Sequence, residues 1–224
     1  AYVAMGTDDK DKTVKTCMGM ASTAIGHIAS GVPQNRQRVI DIGALPVFHM
    51  LLEQGHLEHH VCLSFKKLLS PVSPADKDIV QMVVDEMRKA KIFEKVIPLI
   101  KSEADNTASE ALDVVSHSLT AFVMNPGAQS SIGHRTHLVK HGCIEALTDA
   151  LEDREILVKQ ALTVLLQLLD AGAAARSSRQ GQLRFARANP FAEVVDFDRV
   201  RHWMDFDDEL DELVKAVVAH EPIT

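Results

Sequence analysis

The chain has 224 residues, of which 46% are hydrophobic and only 4% aromatic, so it can bury a large aliphatic core and is not disordered as a whole. Its formal net charge of −7 is a poor match for nucleic-acid binding, which needs clustered Lys and Arg. Three scattered cysteines without a CxxC pair argue against a disulfide scaffold and fit buried thiols in a reducing compartment, the cytoplasm first and the nucleus second.

One face recurs along the chain: small, then apolar at offsets 3, 4 and 7, which is one side of an α-helix. It begins with Ala21, Ala24, Ile25 and Ile28. A short helix, Asn35–Ile42, follows, and Gly43 supplies the turn into a second apolar helix, Gly43-Ala-Leu-Pro-Val-Phe-His-Met-Leu-Leu. After the polar break Glu53–His56 the face returns as Val61, Ser64, Phe65 and Leu68. Pro71–Pro74 is a turn-rich insertion before a helix over Ala75–Ala90. Ile92–Ile100 repeats the second-helix pattern without its glycine, and Ser102–Asn106 repeats the break. The face then reads Ala111, Val114, Val115 and Ser118, with Leu119 able to replace Ser118.

Asn125–Gly133 is a second insertion. Arg135–His141, the Gly142-Cys-Ile-Glu-Ala-Leu-Thr-Asp-Ala-Leu helix and the break Glu152–Arg154 lead to the last copy, Ala161, Val164, Leu165 and Leu168. The copies start 40, 50 and 50 residues apart, against a period of about 40–47 for the common three-helix and two-helix repeats. Residues 171–190 are rich in Ala, Gly, Ser and Gln, with Arg176, Arg179, Arg184 and Arg187 spread through them, and read as a flexible basic linker. Residues 191–224 are acidic and carry the only Trp, Trp203. Asp205 is placed to cap a last helix bearing Phe206, Leu210, Leu213, Val214, Val217 and Val218 on one face.

Short helix, Gly turn, second helix, break and long third helix resembles the armadillo repeat. Gly43, Ala44, Leu45, Pro46, Leu51 and Leu52 match its second-helix consensus, and Asn35-Arg36-Gln37 with Val39-Ile40 is similar to its first helix. The resemblance covers residues 13–170, is strong in the first repeat and weak in the middle one, and implies an all-α, right-handed α-solenoid. The acidic segment 191–224 would then cap the array or dock elsewhere; its apolar content favours the cap, because a terminal repeat leaves its outer face open to water.

Outward positions 2 and 6 of the recurring face are Thr23 and His27, Leu63 and Lys67, Asp113 and His117, and Thr163 and Gln167. Residues four apart share a helix face, so these eight form the expected partner-binding concave surface. In nuclear import adaptors of the armadillo family the two positions are usually Trp and Asn; none of these pairs is, and the resemblance does not extend to that subgroup.

Catalytic and metal signatures are missing. GxGxxG, GxxxxGK[ST] and GxSxG do not occur. His56, His59 and His60 cluster, but no HExxH motif and no third ligand go with them, so a solvated helix start is expected rather than zinc. From Asp196, loop positions 6 and 12 of a calcium hand are Arg201 and Asp207, where Gly and Glu are required. The expectation is a non-catalytic scaffold without cofactor that binds protein partners. The alternatives are an adaptor or regulator of a small GTPase or chaperone, and a structural subunit of a large assembly. The four linker arginines are the one place for a weak nucleic-acid contact. No apolar run reaches the roughly 18 residues of a membrane span.

Overall fold

The computed structural model describes residues 7–70, 76–122, 129–153, 155–177, 191–204 and 206–221. These residues form helices and turns with no strand among them. In chain order the helices are α1 (Thr7–Ser30), α2 (Pro33–Asp41), α3 (Ala44–Glu53), α4 (Glu58–Leu69), α5 (Lys77–Lys89) and α6 (Ile92–Leu99). They continue with α7 (Asp105–Thr120), α8 (Gln129–Lys140), α9 (Cys143–Asp153), α10 (Glu155–Ser177), α11 (Phe197–Arg201) and α12 (Asp208–Val218). A short 3₁₀ turn, Ala192–Val194, precedes α11. The chain forms two compact units, Ala1–Lys95 and Val96–Thr224, and the boundary falls inside α6.

Each turn into a second-type helix is made in the left-handed region. Gly43 and Gly142 have φ of 74° and 83°. In the middle repeat Lys91 takes the same role with φ 57°, where a side chain carries a steric cost. The absent glycine therefore weakened the sequence signal without changing the turn. At the other end of α3, Gly55 (φ 70°) stops the helix, and Pro33 starts α2 at a position where its missing N–H costs nothing.

In the first unit α1 lies along α4, and α2 meets α1, α3 and α5. The α1–α4 crossing is made by small residues: Gly19, Ser22, Gly26 and Ala29 are all buried. A Cβ on Gly26 would lie 2.7 Å from Ser64 Cα, so the two backbones are in contact there. Ser64 Oγ donates across the crossing to the Ser22 carbonyl at 2.8 Å. Phe48 of α3 meets Phe65 of α4 edge to face, with ring centroids 5.4 Å apart. The Arg36 guanidinium is fully buried beneath these ends. It donates to the carbonyls of Ser30, the last residue of α1, and Ser70, just past the end of α4, and faces Asp76 at 3.6 Å. Burial lowers its pKa and Asp76 partly restores it.

In the second unit α7 packs on α10, and α10 also packs on α9. Ala111 and Ala161 are buried at the centres of α7 and α10, with the rest of their faces. Arg135 repeats Arg36, seven residues before the turn glycine, and is likewise buried. The acidic C-terminal residues fold onto this unit: α11 lies on α9, and α12 on α10 and α11. Trp203 is 8% exposed, and its indole N–H donates to the Leu151 carbonyl at 2.8 Å, near the end of α9. Arg199 of α11 pairs with Asp149 and Glu152 of α9 at 3.1 and 2.7 Å.

Several local expectations change. The cap of the last helix is Asp207, whose carboxylate accepts from the N–H groups of Glu209 and Leu210; Asp205 lies outside the described residues. Helix α10 runs to Ser177, past the expected start of the linker at 171, because Ala171, Ala173, Ala174 and Ala175 favour helix. Arg179, Arg184 and Arg187 lie outside the described residues, as do Pro71–Pro74. Cys17 is exposed, while Cys62 and Cys143 are buried. The first copy of the recurring face is largely open: Ala21 and Ala24 are exposed, Ile28 is 64% exposed and Ile25 is half-buried. Apolar spacing identifies the face, but burial needs a neighbour, and no described helix lies on this side of α1.

Candidate functional site

The eight outward positions divide between the two units, four in each. In the second unit they lead to a polar groove between the two long helices α7 and α10. On α7, Ser109, Asp113 and Ser116 stand at helical spacing on one side; on α10, Gln160, Thr163 and Gln167 do the same. The two stripes meet. Ser109 Oγ donates to Gln160 Oε1 at 3.0 Å, and Gln160 Nε2 donates to Asp113 Oδ1 at 3.2 Å, so the amide is held at both ends. Ser116 Oγ donates to Gln167 Oε1 at 3.2 Å. Thr163 donates to the Lys159 carbonyl at 2.7 Å. Leu112 and Val164 floor a depression of about 180 Å³ walled by Asp113, Ser116, Lys159, Gln160 and Thr163. The Lys159 ammonium is tied on its other side to Glu209 of the C-terminal helix.

Asp113, Thr163 and Gln167 are thus brought to one groove or its continuation, and His117 lies half-buried one turn beyond Asp113. Ser109, Ser116, Lys159 and Gln160 share it and were missed by reading only positions 2 and 6. A groove between two parallel rods is lined by their flanks, one position to either side of the outermost residues. The signal that would have found them is the repeat of polar residues at 109, 113 and 116 opposite 160, 163 and 167.

In the first unit the equivalent pair is α1 and α4. Thr23 Oγ1 lies 3.1 Å from His60 Nδ1, and the His60 ring sits over Gly19, where a Cβ would approach it to 2.6 Å. Leu63 and Lys67 are half-buried and His27 is exposed. Towards the start of α4, a depression of about 460 Å³ is lined by Asp11, Lys12, Lys15, Thr16, His56, Leu57 and His60. Of the three clustered histidines, His56 stands in the turn before α4, and His59 and His60 follow in its first turn with ring centroids 5.6 Å apart.

Neither groove holds an activated nucleophile. The buried Cys143 thiol is pushed up to about 12 by desolvation, which makes it inert. The Asp149 carboxylate is held below the usual range chiefly by its hydrogen bond from Lys101 and then by Arg199. It joins helices rather than facing a cleft.

No family model matches this chain, and no curated protein does. Its likeness to solved structures is clear. A computationally designed armadillo repeat protein for modular peptide recognition aligns over 91% of this chain and 75% of its own, at 14% identity and TM-score 0.62. A designed armadillo repeat protein in complex with the peptide (KR)4 aligns over 90% and 91%, at 15% identity and TM-score 0.54. An engineered protein aligns over 92% and 90%, at 14% identity and TM-score 0.58. Recurring third-helix faces, left-handed turns before the second helices and these neighbours agree: the chain has an all-α, armadillo-like repeat fold.

Proposed function

We propose that this protein is a non-catalytic scaffold that holds extended segments of partner proteins along its third-type helices. The observation that carries the proposal is the α7–α10 groove, where hydroxyl, carboxamide and carboxylate groups stand half-buried in a row over an apolar floor. An extended peptide presents an N–H and a C=O at every residue, and such a row supplies partners for both. Two of the structural neighbours are peptide binders by their own descriptions, which supports the reading at the level of the fold. The corresponding contacts in the first unit would be Thr23, His27, Leu63 and Lys67, and in the second Asp113, His117, Thr163 and Gln167. Three cysteines scattered through the sequence without a CxxC pair fit a reducing, cytoplasmic setting.

The test is selection of binders from a randomised peptide library, followed by affinity measurement on Gln160→Leu and Gln167→Leu. Loss of at least about tenfold in affinity, roughly 1.4 kcal/mol, with an unchanged melting temperature supports the reading. Failure to select any peptide, or selected peptides indifferent to both changes, overturns it.

A further inference from the structure

The side chains that join neighbouring repeats in the second unit recur at one sequence offset. Ser109 of α7 reaches Gln160 of α10, and Ser116 reaches Gln167, each 51 residues on. The same offset continues beyond residue 170, where the sequence no longer resembles a repeat. Arg199 of α11 donates to Asp149 of α9, 50 residues away, and Lys159 of α10 pairs with Glu209 of α12, also across 50. The Trp203 indole reaches the Leu151 carbonyl across 52. Helix α12 carries the recurring face as well: Leu210, Val214 and Val217 are buried and Leu213 is half-buried. On that register Lys159 stands two residues before Ala161, as Ser109 stands before Ala111. Glu209 stands one residue before Leu210, as Gln160 stands before Ala161. The Lys159–Glu209 ion pair is therefore the Ser109–Gln160 contact made a second time, one repeat further on.

We infer that α11 and α12 are a shortened further copy of the repeat, and that α12 extends the binding row by one rung, seating an aliphatic side chain of the same extended partner segment over Ala216. This rests on the α7–α10 groove being a peptide-binding row. Glu212 and Ala216 occupy the outward positions that Asp113 and His117 hold on α7, and that Thr163 and Gln167 hold on α10. Where the step from α7 to α10 places the Ser116–Gln167 hydrogen bond, the step from α10 to α12 places Leu166 and Ala216, both half-buried. The row thus changes from polar to apolar, and the small Ala216 leaves the volume that a glutamine fills one repeat earlier. A peptide backbone finds no hydrogen-bond partner in those two side chains, so the group that gains by binding there is an apolar side chain. Charge selects between occupants. Glu209 and Glu212 are exposed on the same outward stripe as Ala216, so a docked helix would bury both carboxylates, and a single side chain buries neither. Packed helices lie about 8–10 Å apart and an extended chain advances about 3.3–3.6 Å per residue, so a segment crossing both steps needs about five or six residues.

Peptides selected on the full chain from a randomised six-residue library test this. The selected sequences share an aliphatic residue toward one end, and replacing it with Ser weakens binding to the parent at least about tenfold. Ala216→Gln, which restores the polarity of the Gln167 rung, weakens the aliphatic peptide as much and leaves the Ser peptide unchanged, so the two changes do not add. In a Cys17→Ser background, a fluorescent thiol probe is attached at Glu212→Cys, where the parent side chain is 79% exposed. Its emission changes on peptide addition, which reports contact at α12 even where Ala216→Gln lowers the melting temperature. Peptides weakened by Gln160→Leu but indifferent to Ala216→Gln, with a silent probe at position 212, overturn the inference and leave the groove reading standing. Peptides indifferent to both substitutions, or no selected peptide at all, overturn both. Three-residue peptides that bind as tightly as six-residue ones overturn the inference alone, and peptides that gain helical circular dichroism on binding overturn it in favour of a docked helix.

Discussion

Two residues show how a single conformation or charge state sets stability in this fold. Lys91 sits at φ 57°, where a Cβ costs about 1–2 kcal/mol, while glycine there would lose about 0.5–1 kcal/mol through the entropy of the unfolded chain. Lys91→Gly therefore stabilises by about 0.5–1 kcal/mol in urea denaturation. Gly43→Ala destabilises by about 1 kcal/mol, and because a Cβ at Gly43 meets nothing within 4 Å, that loss is a backbone term alone. Cys143 gives a pH signature. Its folded pKa, about 12, lies above the ordinary thiol value of 9.0, so its contribution to stability is complete below 9 and is lost as the pH rises towards 12. The stability advantage of the parent over Cys143→Ala shrinks by roughly 1 kcal/mol between pH 8 and pH 10. Thiol labelling at neutral pH reaches exposed Cys17 at once, and Cys62 and Cys143 only on unfolding.

At the scale of elements, the α1–α4 crossing depends on the absence of side chains. Gly26 faces Ser64 Cα, which is backbone and cannot step aside. Gly26→Leu costs roughly 1–3 kcal/mol by overpacking, in spite of leucine's better helix propensity, and urea denaturation measures it. An unchanged midpoint would mean the helices are not in contact there. Much of this architecture was legible beforehand. The faces at Val61, Ala111 and Ala161 are buried as their spacing implied, because apolar periodicity reports directly on a helix that has neighbours on that side. The same reasoning failed at Ala21, where the periodicity was sound and the neighbour was missing. It also overlooked Ser109 and Gln160, since the pattern locates what points outward and a groove is lined by flanks. Asp207 caps the last helix, a role that spacing alone could not assign between it and Asp205, which lies outside the described residues.

For the molecule as a whole, the C-terminal segment separates a fixed scaffold from a scaffold with a free acidic arm. Phe197, Val200, Trp203, Leu210, Val214 and Val217 are all buried, which a free arm in water would not sustain. Arg199 adds charge pairing to α9 through Asp149, whose contribution is present above the ordinary carboxylate range and fades as the pH falls through its depressed value. The helix carrying Glu209 also holds Lys159 at the edge of the α7–α10 groove, so the proposed binding surface depends on this segment being in place. The decisive measurement uses Trp203, the single tryptophan of the chain. Its fluorescence and the far-UV circular dichroism are followed together through urea, in the parent and in a chain lacking residues 186–224. A fixed cap predicts blue-shifted native emission, one shared transition, and a lower midpoint on deletion; Trp203→Ala alone costs about 3–5 kcal/mol. Water-like emission in the native state, with a helical transition that the deletion leaves where it was, contradicts the account.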